Sequence, residues 1–203
     1  MHLIQKIMFK FIFKILFLFY FLTSSSLSNE NNILNIGDAN AKITVKVFSS
    51  LTCPHCASFH NKIYSSLKKE YIDTGKVRFE HHGFPLDLAA LNAEKVLRAV
   101  KDNEKSFLLL SEIYKKQDQW AVGSDIKKIN QSIKKIALKF GLNEKIINDS
   151  IKNEKIQDQI LNERINAQKK YKISSTPTIY INKKKYEGKH NFKTFKKEIE
   201  KIL

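Results

Sequence analysis

Residues 42–60 read KITVKVFSSLTCPHCASFH and hold both cysteines of the 203-residue chain, Cys53 and Cys56, with Pro54 and His55 between them. Lys42 to Ser50 alternates and then runs apolar with β-branched residues, the pattern of a strand. Beyond it Phe59, Ile63, Leu67 and Tyr71 recur at helical spacing, and Pro54 suits a first helical position. The cysteines therefore sit where a strand gives way to a helix N-terminus. Their spacing alone leaves three readings open: a structural clip, half of a metal site, or a reactive dithiol.

A bridge between Cys53 and Cys56 closes a very small loop, and the entropic stabilisation from a disulfide grows with loop length. A chain of this size buries an adequate core without staples, so a clip here stabilises little. Zinc would take Cys53, Cys56 and His60, but a structural site wants four ligands. His81 or His82 would have to complete it, because no second cysteine pair exists. A reactive dithiol suits the place better. A thiol at a helix N-terminus faces unpaired N–H groups and the positive end of the dipole, and both favour thiolate. Cys53 is thus the expected low-pKa nucleophile, and Cys56, one turn in, is placed to attack a mixed disulfide at Cys53. His55 adds a cation or N–H donor close by. Whatever stabilises the thiolate stabilises the reduced protein, so the disulfide becomes a stronger oxidant.

Working outward, GKVRFEHHGFPL (75–86) reads as a turn and a second strand ended by Pro85, and NNILNIGDANA (31–41) as a short strand and turn. Along 75–86, His81 and His82 are expected to face opposite ways and Glu80 to lie at the surface. Phe84 and Leu86 read equally as core or as the apolar rim of a substrate groove. Asp87 to Tyr171 is helical in texture throughout, with Gly141 and Asn143 as a C-cap and the next N-cap and Trp120 as a packing residue. SSTPTIYINKKKYEGKHNF (174–192) returns to strands at Thr178–Asn182 and Lys185–Tyr186. The chain closes on an amphipathic helix with Phe192, Phe195, Ile199 and Ile202 as its apolar face. The order is β-β-α-β, a helical block, then β-β-α.

The first stretch is different material. Lys6, Lys10 and Lys14 lead, Ile15 to Leu22 is uninterrupted apolar, and Ser26-Leu27-Ser28 offers small residues before a cut after Ser28. This is the layout of a signal peptide spanning 1–28, or of an uncleaved anchor. Either way the remainder is expected to be exported, to the periplasm or an equivalent oxidising place where disulfides persist. The formal charge is +16, or +13 without those three lysines. The lysines are interspersed with acids, as on a solvated surface, and no aromatic-interleaved basic motif points to nucleic acid.

The strand–CPHC–helix, the helical block and SSTPTIYINKKKYEG together resemble the DsbA-like branch of thioredoxin-fold thiol:disulfide oxidoreductases, over essentially all of 29–203. C-x-x-C alone is weak, but Thr176-Pro177-Thr178 standing 124 residues beyond Cys53 makes the pattern specific. The resemblance implies an α/β, thioredoxin-like fold with an inserted all-helical domain: 29–86 and 172–203 form the thioredoxin-like domain and 87–171 the insertion. It implies a cis-proline at Pro177 facing the dithiol, with Thr176 offering its backbone to a substrate strand. Cys53 and Cys56 would be catalytic, supported by Pro54, His55, Thr176 and Pro177, with the redox-active disulfide in place of any metal or organic cofactor. The implied partners are unfolded, reduced exported proteins and a DsbB-like membrane oxidase. Dimeric isomerases of the family carry an N-terminal dimerisation domain, and the 24 residues between the cut and Cys53 leave no room for one, so a monomer is expected. One departure is Val47, where relatives often carry a buried acid six residues before the first cysteine; Glu80 could substitute only by pointing inward. Two rivals stand beside the oxidase: an isomerase or reductase of the same fold, and a non-catalytic binding module with a structural disulfide.

Overall fold

Ile43, Val45 and Val47 alternate with half-covered Thr44 and Lys46, and the strand they form, β2 (Ile43–Ser49), is the middle of the sheet. The computed structural model describes residues 33–203; the signal-peptide reading of 1–28 lies outside them. The five strands run β1 (Leu34–Ile36), β3 (Val77–Gly83), β2, β4 (Thr178–Ile181) and β5 (Lys184–Lys185) across the sheet. Only β2 and β3 are parallel. Parallel neighbours need a long crossover, and helix α1, from Pro54 to Ile72, supplies it. Its turns are α-helical at Pro54–Phe59 and Ser65–Leu67 and widen to π-helical at His60–Tyr64 and Lys68–Ile72.

After β3 come α2 (Leu88–Leu97), α3 (Asn103–Lys115), α4 (Gln117–Trp120), α5 (Ile126–Ala137), α6 (Glu144–Lys152) and α7 (Glu154–Tyr171), and α8 (Phe192–Glu200) follows β5. Asp87, Asp102, Asp125, Asn143, Asn153 and Asn191 each accept a hydrogen bond from an N–H in the first turn that follows. Such caps satisfy donors that a helix start otherwise leaves orphaned. Gly141 adopts the left-handed conformation, φ 85°, that ends the α5 segment before Asn143 opens α6.

One continuous apolar core joins Val45, Phe79 and Ile179 of the sheet, Phe59, Ile63 and Leu67 of α1, Phe195 and Ile199 of α8, and Leu110, Ile113 and Ile133 of the helical block. The block thus shares the sheet's core. Phe48, Phe84 and Ile173 form a smaller cluster. β2 is one residue shorter at each end than the sequence reading, β4 stops one residue early and β5 is shifted back by one. Asn182 leaves β4 because it takes φ 54° and its side chain turns back to accept from Thr44 N at 2.8 Å. Just beyond β5, Tyr186 N–H still donates to Ile179 O of β4 at 2.9 Å, and its ring packs on Phe195, centroids 5.0 Å apart.

Replacing Asn143 by alanine removes the α6 cap, and we expect a loss of about 1 kcal/mol of unfolding free energy, measured by denaturant titration. An unchanged midpoint would show that the cap contributes nothing.

Candidate active site

The pairing of β4 with β2 sets the geometry. Phe48 lies opposite Thr178, so the antiparallel register carries the residues just before β4 alongside the turn that leaves β2. That turn is closed by Cys53 N–H donating to Ser50 O at 3.1 Å. Cys53 is extended, φ −78° and ψ 119°, and is the N-cap of α1; the N–H groups of Cys56 and Ala57 donate to its carbonyl at 3.0 and 3.1 Å. Pro54 occupies the first helical position, as its fixed φ and missing N–H favour. Facing the turn, the Thr176–Pro177 bond is cis, and the Cys53 thiol donates to Thr176 O at 3.3 Å.

The two thiols are free and differ sharply in environment. Cys53 is 9% exposed and Cys56 1%. A Cys53 thiolate takes a hydrogen bond first from the Cys56 thiol; burial works against the charge, while the Thr176 hydroxyl and the backbone N–H groups of Cys56 and His55 add to it. The balance brings Cys53 down to about 5. Thr176 Oγ1 is buried without a hydrogen-bond partner, so its proton is available to a Cys53 thiolate. Burial pushes the Cys56 thiol far up, and the neighbouring Cys53 raises it further. One sulfur is built to be an anion and the other a thiol.

The structure thus brings Cys53, Cys56, Thr176 and Pro177 together. Pro54 and His55 lie exposed on the first turn, and His55 meets the Cys53 sulfur through its backbone N–H. The cation expected from its side chain is not among the groups acting on Cys53.

Contacts that spacing does not reveal hold the turn from outside. Gln117 Nε2, at the start of α4, donates to Leu51 O at 2.7 Å and to Cys53 O at 3.1 Å. Thr52 Oγ1 donates to Asp87 at 2.6 Å, and Leu86 N–H to Ser50 Oγ at 3.3 Å. Asp87 has a local signal, an acid before an apolar helical run; Gln117 has none. These ties bring the loop carrying Leu86 and Leu88, both 54% exposed, up to the turn, whereas Phe84 is buried under the Arg164 guanidinium.

Glu80 corrects an expectation. It is buried, accepting from Lys46 at 2.6 Å and His82 at 2.9 Å, with Arg78 at 3.5 Å. Burial alone would raise its carboxyl; His82 and Lys46 hold it down to about 2. Its partners are Lys46, Arg78 and His82, not the cysteines. His60 Nε2 pairs with Ser111 Oγ at 2.9 Å, and His81 lies between Ser49 and Glu94, so neither turns toward the dithiol as a zinc ligand would. Among the described residues no three His, Cys, Asp or Glu side chains are grouped to hold a metal ion. Trp120 is a packing residue, buried, with Nε1 donating to Ile113 O at 2.8 Å.

Titrating the reduced protein by thiolate ultraviolet absorbance should give one thiolate with a midpoint near pH 5. A midpoint near the ordinary value of 9.0 would mean that the helix end and Thr176 do not act on Cys53.

The family described as Thioredoxin matches residues 28–201. The crystal structure of Wolbachia pipientis alpha-DsbA1 superposes with a TM-score of 0.79 at 30% identity, covering 84% of this chain and 90% of that one. Disulfide bond formation protein D of Bacillus subtilis is 29% identical over 180 residues, 83% of this chain and 76% of its own. A Rickettsia bellii relative whose name proposes a protein-disulfide oxidoreductase is 29% identical over 154 residues, 75% of this chain. The chain spans only 58% of that relative's length. With its fold, its match across residues 28–201 and its likeness to alpha-DsbA1, the chain belongs to the thioredoxin family as a DsbA-like member.

Proposed function

We propose that this protein is an exported thiol:disulfide oxidoreductase that donates the Cys53–Cys56 disulfide to folding proteins. The observation that carries the reading is the asymmetry of the pair: a nucleophile at a helix N-terminus held near 5, and a buried partner held as a thiol. A thiolate of an unfolded substrate attacks Cys53 Sγ, the Cys53–Cys56 bond breaks, and Cys56 leaves with the electron pair. The substrate's second thiolate then attacks its own sulfur in the mixed disulfide, leaving as a disulfide and the enzyme as a dithiol. Thiolate stabilisation at Cys53 favours this direction, because it makes the reduced enzyme the better leaving state.

Supporting roles follow from position. Pro54 starts the helix, the His55 N–H and Thr176 hydroxyl stabilise the Cys53 thiolate, and the backbone at Thr176-Pro177 receives an extended substrate segment. Exposed Leu86 and Leu88 offer such a segment an apolar landing. The cysteine pair is the whole redox centre, without metal or organic cofactor. Residues 1–28 direct export to the periplasm or its equivalent, the chain works as a monomer, and a DsbB-like membrane oxidase restores the disulfide. The thioredoxin-like domain is taken as 29–86 and 172–203, with 87–171 inserted.

Mixing the oxidised protein with a reduced, unfolded disulfide protein should convert substrate thiols to disulfide. Cys53→Ala should slow this by about three orders of magnitude or more, as loss of a covalent nucleophile does elsewhere. Cys56→Ala, first loaded as a Cys53–glutathione disulfide with oxidised glutathione, should instead exchange glutathione for a substrate thiol and show a protein–substrate mixed disulfide on non-reducing gels. A Cys53→Ala protein as active as the wild type would leave only a binding module with a structural bridge.

A further inference from the structure

Each opening or closing of Cys53–Cys56 requires a proton to reach or leave the Cys56 sulfur, which is 1% exposed. Val47, beside the turn, has no group to hold it. Directly across the parallel register from Val47 stands His81, and a buried chain of hydrogen bonds runs through it. Tyr114 O–H, on α3, donates to Ser49 Oγ at 3.0 Å. Ser49 Oγ lies 3.3 Å from His81 Nδ1, and His81 Nε2 3.0 Å from Glu94 Oε2 on α2. Glu94 also accepts from Arg98 Nε at 3.2 Å, and Arg98 grips Glu163 of α7 through two N–H groups at 3.1 and 2.6 Å.

The partners fix the direction of this chain. Glu94 accepts from Arg98, so it is ionised and takes the Nε2 proton of His81; burial would raise its carboxyl, but His81 and Arg98 hold it at about 2. Nδ1 is then a bare acceptor for the Ser49 hydroxyl, whose oxygen accepts from Tyr114. Every donor points toward Glu94. Gly83 shows that the place is shaped for the carboxylate: a Cβ there would stand 2.6 Å from Glu94 Oε1. At the other end, the Cys56 sulfur faces the N–H of Ser50, next to Ser49, and a thiolate at Cys56 adds to burial in pushing Tyr114 ionisation up. Charge on the sulfur is thus felt at Tyr114, although no direct hydrogen bond joins the two in this structure.

We propose that the Cys56 proton travels along Tyr114 and Ser49 to His81 Nδ1 and is held there as an imidazolium against Glu94. This inference rests on the exchange chemistry proposed above. In closing, Cys56 sulfur attacks Cys53 Sγ of a mixed disulfide; the Cys53–Cys56 bond forms, the Cys53–substrate bond breaks, and the substrate sulfur leaves with the electron pair. Cys56 is oxidised, the substrate sulfur is reduced, and the proton moves to His81. In opening, Cys56 leaves with the electron pair and takes that proton back. The titratable and charged groups facing His81 are Glu94, with Arg98 behind it, on α2; His60 on α1; Tyr114 on α3; and His82 beside it on β3. Tyr114 and Ser49 are relay groups; His81 and Glu94 act through them.

The test uses the reduced protein and oxidised glutathione, quenched with acid and analysed by mass. Cys53 attacks first and forms a glutathione adduct; ring closure by Cys56 then removes it. Tyr114→Phe and Ser49→Ala should each slow closure roughly 10²-fold, the usual value of a placed proton acceptor, so that the adduct accumulates. Closure should be nearly level with pH around neutrality in the wild type. In the variants it should rise about tenfold per pH unit, because hydroxide replaces the relay. The Cys53 titration should stay in place, and Ser49→Thr should restore closure. Variants that close at the wild-type rate, or slowly but with the wild-type pH profile, overturn the relay. A wild type that forms neither adduct nor ring overturns the exchange chemistry itself. Two variants on either side of one hydrogen bond keep the test open if one fails to fold.

Discussion

The first turn of α1 meets the Cys53 sulfur, and the rest of the molecule is arranged to preserve that meeting. A helix start exposes unpaired N–H groups and the positive end of its dipole; here the backbone N–H groups of His55 and Cys56 favour charge on the sulfur of Cys53, the N-cap residue. The Cys56 thiol and the Thr176 hydroxyl complete the shell. Thioredoxin holds its nucleophile near 7 and DsbA near 3.5, and a Cys53 value of about 5 lies between them.

Keeping that geometry takes elements far apart in sequence. β2 delivers the turn, α1 receives it, and the antiparallel β4 brings Thr176 and Pro177 against it from 123 residues away. The helical block grips the same turn through Gln117 and Asp87. Its helices share the sheet's core, so the block is also part of what holds the active-site turn still.

Much of this was legible in the residues. Cys53-Pro54-His55-Cys56 between an alternating strand and a helical repeat locates the helix end, and Asp or Asn caps mark where most helices of the block begin. The Thr176-Pro177-Thr178 strand became meaningful through a family resemblance, since nothing local says which strand it joins. Less was legible where side chains meet across the fold. Glu80 reads as a surface acid because no pattern along β3 reveals that Lys46, Arg78 and His82 converge on it. Gln117 has no signature at all, because its two carbonyl partners lie more than sixty residues upstream. The Ser49–His81–Glu94 contacts likewise need the register of β2 against β3 and the approach of α2, and both are tertiary facts.

The most direct test of the account is the reduction potential of Cys53–Cys56, equilibrated with glutathione buffers across a range of pH. An oxidising pair should lie between about −180 and −120 mV, the second being the poise of DsbA. With one sulfur a thiolate and the other a thiol, the potential should fall by about 30 mV per pH unit above pH 5, one proton per two electrons. A potential at or below about −270 mV, falling by about 59 mV per unit, would mean two ordinary thiols and a reductant or structural bridge.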